Sequence, residues 1–75
     1  MKKLIECEKG ERVKVIKLNA DHDLKQRLIS FGVMKGASIQ VVEYSLGKKT
    51  VEVKVGKMRI ALRAKEAQMI EVEKV

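Results

Sequence analysis

From Arg12 onward the chain alternates apolar and polar side chains, with Val13 and Val15 set against Arg12 and Lys14. That period of two predicts a half-buried strand over residues 11–18. Ile16 and Leu18 continue the alternation with the opposite parity, which implies a bulge or a change of face near Val15 and Ile16. The period then lengthens. Leu24, Leu28 and Phe31 recur at spacings of four and three, with Lys25, Gln26 and Arg27 between the first two. This predicts an amphipathic helix of about three turns. Asn19, Asp21 or Asp23 can cap its start, where free backbone N–H groups attract a carboxylate. Gly32 stands where a left-handed residue ends a helix. A stripe this short does not hold a helix in water, so the helix must lie on other elements.

After a turn through Met34-Lys35-Gly36, Ile39, Val41 and Val42 begin a second strand, and residues 45–49 form a largely polar loop. Val51, Val53 and Val55 alternate with Glu52 and Lys54, and Met58, Ile60 and Leu62 alternate with Arg59, Ala61 and Arg63. Gly56-Lys57 between these runs fits a type II′ hairpin. Residues 64–68 can make one helical turn before a last strand over 69–75, where Ile70 and Val72 alternate with Glu71 and Glu73. The fold class is mainly β: a small SH3-like five-stranded barrel. One α-helix follows its first strand, and a short helical turn precedes its last. Closure of the sheet hides edges that would otherwise aggregate.

At 75 residues the chain is expected to form a single domain over residues 1–75. Seventeen Lys and Arg against ten Asp and Glu leave a net charge of +7, which favours an acidic partner. Cys7 is alone, so an internal disulfide and a cysteine-based zinc site are excluded and a reducing compartment is expected. The longest apolar run, Ile60-Ala61-Leu62, falls far short of the roughly 20 residues that span a bilayer. The N-terminal residues lack the apolar stretch of a signal peptide. The expectation is a cytoplasmic protein without membrane insertion.

Chemistry-bearing residues are sparse. Asp21-His22-Asp23 is the one local cluster of ligand types, but consecutive side chains diverge and read better as capping residues. Cys7 reads as an inert buried thiol, and Met34, Met58 and Met69 mostly as core filler or turn residues. No metal or cofactor is assigned. No nucleophile has a recognisable base, and Gly32 and Gly36 are followed by Val33 and Ala37 rather than by a phosphate-loop lysine. No catalytic residue is assigned, and the chain is not expected to be an enzyme.

The charge is concentrated. Between Gly47 and Lys65, seven cationic side chains stand against Glu52 alone. Lys54, Arg59 and Arg63 occupy the parity opposite the apolar stripe, so one outer sheet face is expected to be basic. Such a face either keeps the protein solvated or docks an acidic surface. Phe31 is expected to point inward and Met34 to stand out as an apolar anchor. The candidate contact set is Met34, Lys35, Lys54, Lys57, Arg59 and Arg63.

The run from Leu24 through Arg27-Leu28 and Phe31-Gly32-Val33 to Gly36 resembles the signature of the FeoA family (ferrous iron transport protein A). Ile60-Ala61-Leu62-Arg63, Glu66-Ala67 and Ile70-Glu71-Val72 resemble its second block, and Leu4, Gly10, Val13 and Val15 fit its opening. Lys35 departs from the pattern where a proline is common, and the Gly47 loop lacks the usual following proline. The resemblance implies an SH3-like barrel in the bacterial cytoplasm. It implies work beside the ferrous iron permease, whose cytoplasmic region binds GTP, and peripheral placement at the inner membrane through that partner. Two other readings stand beside it. One is a basic nucleic-acid-binding barrel, although Phe31 and Tyr44 are the only aromatic residues available for base stacking. The other is a stand-alone regulatory barrel like the C-terminal domain of metal-dependent repressors of the diphtheria-toxin-repressor type. The oligomeric state is left open.

Overall fold

The structure, a computed structural model, describes residues 2–75. Its elements are β1 (Lys2–Lys3), a 3₁₀ turn (Leu4–Glu6), β2 (Arg12–Leu18), α1 (His22–Ser30), β3 (Ser38–Tyr44), a 3₁₀ turn (Leu46–Lys48), β4 (Thr50–Val55), β5 (Met58–Arg63), α2 (Ala64–Ala67) and β6 (Ile70–Lys74). All strand pairs are antiparallel, in the order β1-β6-β2-β3-β4-β5. The class is the expected one, with six strands rather than five. The additional strand is β1, which pairs Lys2 with Val72 and Lys3 with Glu71. Two consecutive lysines show no alternation, because this pairing rests on backbone hydrogen bonds rather than a buried side-chain stripe.

The parity change along β2 is a real irregularity: its register against β6 shifts between Val15 and Lys17. A second shift, between Val41 and Glu43, interrupts β3 against β4. Each bulge bends its strand, so β2 and β3 can curve around one core. That core holds Leu4, Val13, Val15, Leu28, Val33, Ile39, Val41, Val51, Val53, Leu62, Ile70 and Val72. Val42, grouped by sequence with Ile39 and Val41, is only partly buried because it takes the other parity. No polar side chain is buried among the described residues.

Helix α1 takes Asp21 as its cap, the carboxylate accepting from the Leu24 N–H at 2.9 Å. At its other end Gly32 donates to the Ile29 carbonyl and Val33 to the Leu28 carbonyl, the paired bonds of a Schellman motif. Gly32 sits at φ +91°, and a Cβ there would lie 3.3 Å from Val55 Cγ1. The same glycine therefore stops the helix and lets its end rest on β4. Leu28 is fully buried and Phe31 packs against the core, as the apolar stripe requires.

The N-terminal segment packs on the core at the margin opposite β5. Among the described residues β1 and β5 do not pair, so the sheet keeps two edges rather than closing fully as expected. Leu4 and Cys7 are buried, and the Tyr44 hydroxyl, at the end of β3, faces the carbonyls of Leu4, Ile5 and Cys7. Lys2 Nζ donates to Glu11 Oε2 at 2.5 Å. That bond holds the Glu11 carboxyl below the usual carboxylate range and raises the Lys2 ammonium above its ordinary value. At the far edge, Val55 opposes Met58 across Gly56-Lys57. Gly56 has φ +60° while Lys57 is not left-handed, as a type II′ turn requires. Met58 is 50% exposed rather than core filler, because it stands beside this turn on the terminal strand.

Candidate docking surface

Residues directly opposite each other in an antiparallel ladder share a face. Arg12 opposes Gln40, Gln40 opposes Lys54 and Lys54 opposes Arg59, forming one row across β2, β3, β4 and β5. With strands about 4.8 Å apart, the row spans roughly 14 Å. Arg12, Lys54 and Arg59 are exposed, and Gln40 is half-buried between the first two. An open groove of about 290 Å³ runs along the row from Arg12 to Lys54, lined by Arg12, Ser38, Gln40, Lys54 and Gly56 among others. Neither Arg12 nor Lys54 makes an ion pair among the described residues, and Arg59 leans on Glu52 at 3.4 Å with both groups exposed. An exposed pair of this kind contributes under about 1 kcal/mol, so all three cations are available to an incoming anion.

The sheet register brings three of the six candidate contact residues together. Lys54 and Arg59 face each other in the row, and Lys57 is exposed in the turn joining their strands. Arg63 opposes Thr50 further along, and its side chain lines a different cleft with Asp21, Asp23, Arg27 and Lys65. Met34 is 42% exposed, as an anchor must be, and Lys35 beside it is exposed too. No cross-strand pairing joins Met34 or Lys35 to the row, since the turn after α1 bonds back to β2 through Gly36 N–H and Val15 O. The basic face is also narrower than the one-dimensional charge count implies, because Glu43 opposes Glu52 on the neighbouring rung. Sequence reasoning missed Arg12 and Gln40, which are brought beside Lys54 only by the sheet register.

Two of the ligand-type residues elsewhere, Asp21 and Cys7, have structural occupations. Asp21 caps α1, and no group of three or more His, Cys, Asp or Glu side chains converges among the described residues. Burial pushes the Cys7 thiol above its ordinary pKa, which keeps it protonated and unreactive at neutral pH. No helix of the described residues is long and apolar enough to cross a membrane.

Comparisons with known proteins agree on the relatives of this fold. The chain is 36% identical over 69 residues to the Fe(2+) transport protein A of Campylobacter jejuni, covering 92% of this chain and 93% of that one. The FeoA protein of Chlorobium tepidum superposes with a TM-score of 0.92 at 29% identity, covering 97% of this chain and 70% of that one. The zinc complex of Stenotrophomonas maltophilia FeoA, described as a procaryotic SH3 domain protein, superposes with a TM-score of 0.85 at 27% identity, covering 97% and 91%. The FeoA domain itself matches residues 2–74, nearly the whole length over which the barrel has been described. The chain belongs to the FeoA domain family.

Proposed function

We propose that this chain is a non-enzymatic accessory of ferrous iron uptake that docks on the GTP-binding cytoplasmic region of the ferrous iron permease. The observation that carries the reading is the row of exposed cations, Arg12 and Lys54 without an ion pair among the described residues and Arg59 held only by an exposed pair with Glu52, displayed by a FeoA-family barrel. Support for the transport role comes from the curated relatives named for Fe(2+) transport and from the Stenotrophomonas protein described in terms of ferrous iron transport activation. Support for docking rather than chemistry comes from the residues themselves. The one thiol is buried, the Asp21 carboxylate is used as a cap, and Arg12 and Lys54 line an open groove rather than an enclosed pocket. Charges displayed this way accelerate encounter and fix register more than they add affinity.

The test is a titration of the permease's cytoplasmic domain with this protein at low and high salt. Saturable binding that weakens as salt rises is the expected result; absence of binding at low salt overturns the reading. Lys54→Glu with Arg59→Glu reverses two opposed charges and is expected to weaken docking about tenfold or more while the barrel stays folded. The nucleic-acid alternative is checked by fluorescence anisotropy with short RNA and DNA. Tight binding with a steep salt slope in that assay shifts the assignment of the basic row from protein to phosphate backbone.

A further inference from the structure

Beside the basic row lies a sheet edge whose open backbone groups can be named. β5 ends the sheet and pairs with β4 without a shift from Val55–Met58 to Thr50–Arg63. In an antiparallel ladder, alternate residues turn their N–H and C=O toward the neighbouring strand and the others turn them away. The two-residue loop makes Val55 and Met58 a hydrogen-bonded pair. The Ala64 N–H bonds to the Lys49 carbonyl at 2.9 Å, in the same parity. Met58, Ile60 and Leu62 therefore bond to β4, and Arg59, Ala61 and Arg63 aim their backbone groups outward. The Arg63 N–H is already taken by the Glu66 carboxylate, which caps α2 at 2.9 Å. The N–H groups of Arg59 and Ala61 have no acceptor among the described residues, and both residues are exposed.

Side chains along this edge define what fits it. Arg59 projects on the face that carries Lys54, while Met58, 50% exposed, and Ile60, half-buried, offer apolar surface on the other. A second copy of the chain is a poor occupant. Antiparallel self-pairing centred on residue 59, 60 or 61 sets Arg59 against Arg59, Lys57 against Arg63, or Arg59 against Arg63, like charges directly opposite in every case.

We propose that the edge from Met58 to Ala61 receives an extended acidic segment of a partner protein by antiparallel strand addition. Acidic side chains of that segment stand opposite Arg59 and Ala61, and apolar ones opposite Met58 and Ile60. The inference deepens the docking reading above and rests on it for the existence of a protein partner. Backbone bonds at Arg59 and Ala61 supply the register, and the cations select the charge of the incoming strand.

The test uses the whole protein and a labelled nine-residue peptide of alternating Glu and Val, against a peptide of the same composition with all its Glu residues preceding its Val residues. The alternating peptide is expected to bind about tenfold more tightly than the block peptide, and to slow hydrogen exchange at the Arg59 and Ala61 amides. Ala61→Pro removes an outward donor without touching the bonds to β4, a place where an edge strand tolerates proline. It is expected to weaken the alternating peptide about tenfold. Equal binding of the two peptides, unprotected Arg59 and Ala61 amides in the wild-type complex, or dimerisation of the free protein through β5 overturns the inference. Titrating the permease domain separates the two readings. Unchanged binding by folded Ala61→Pro rejects the edge and leaves the partner in place. Failure of the wild type to bind the domain, with the peptide still bound, rejects the partner and leaves the edge chemistry standing.

Discussion

At one margin of the sheet β1 contributes two residues, and at the other β5 contributes six. The short margin ends at once: the Lys3 N–H is taken by the Glu6 carboxylate, Leu4 and Cys7 turn into the core directly after it, Tyr44 reaches across to their carbonyls, and Lys2 holds Glu11. The long margin is bare, and what guards it is charge, with Lys57, Arg59 and Arg63 spaced along its length. Both devices prevent edge-to-edge association. They differ in what else they permit. A margin of two residues offers too little ladder for a partner, whereas a long one guarded by a single sign of charge is closed to its own copies and open to an acidic strand.

The largest effect is expected at the packed margin. Leu4 is fully buried, so Leu4→Ala leaves a cavity under the barrel and is expected to cost about 2–5 kcal/mol in urea unfolding. A loss below 1 kcal/mol would show that the N-terminal turn is a loose cover rather than part of the core. Tyr44→Phe keeps the ring and removes the hydroxyl facing those three carbonyls, and about 1 kcal/mol is expected to be lost. A smaller, pH-dependent effect belongs to Glu11. Its folded carboxyl titrates below the unfolded one, so its contribution is present above the ordinary carboxylate range and fades as pH falls through the lowered value. Glu11→Gln is therefore expected to lower stability slightly at neutral pH, where the contribution is present, to change nothing well below the lowered value, and so to flatten the acid limb of the stability curve. Least affected in stability is the bare margin, where Arg59→Glu is expected to stay within about 0.5 kcal/mol while reducing capture of acidic ligands. A large loss of stability there would mean that Arg59 holds the strand rather than guards it.

How far such features could be read from residues alone depended on whether their signal was local. Strand β2 with its bulge, helix α1 with Asp21 and Gly32 at its ends, and the β4–β5 hairpin all announce themselves within about ten residues through period and turn chemistry. Strand β1 did not, since Lys2 and Lys3 pair through their backbones with residues at the far end of the chain. The role of Tyr44 was equally invisible, being set by carbonyls 37–40 residues away. The same holds for the basic row. Lys54 and Arg59 are joined by a hairpin and could be paired by inspection, but Arg12 and Gln40 enter only through the register of β2 on β3 and β3 on β4. Arg63 shares the parity of Arg59, yet its side chain belongs to the cleft by α1, because α2 begins at the next residue.

Strand β6 lies between β1 and β2, although it is the last of the six along the chain. Until it arrives, the two earliest strands have nothing to hold them side by side, and Ile70 and Val72 are missing from the centre of the core. Pairing β1 with β6 closes a loop of nearly the full chain length. Domains dominated by such distant pairings fold in milliseconds to seconds rather than microseconds. On a ribosome, the barrel would wait for its final strand, and a nascent chain stalled before Ile70 would present an open flank on β2.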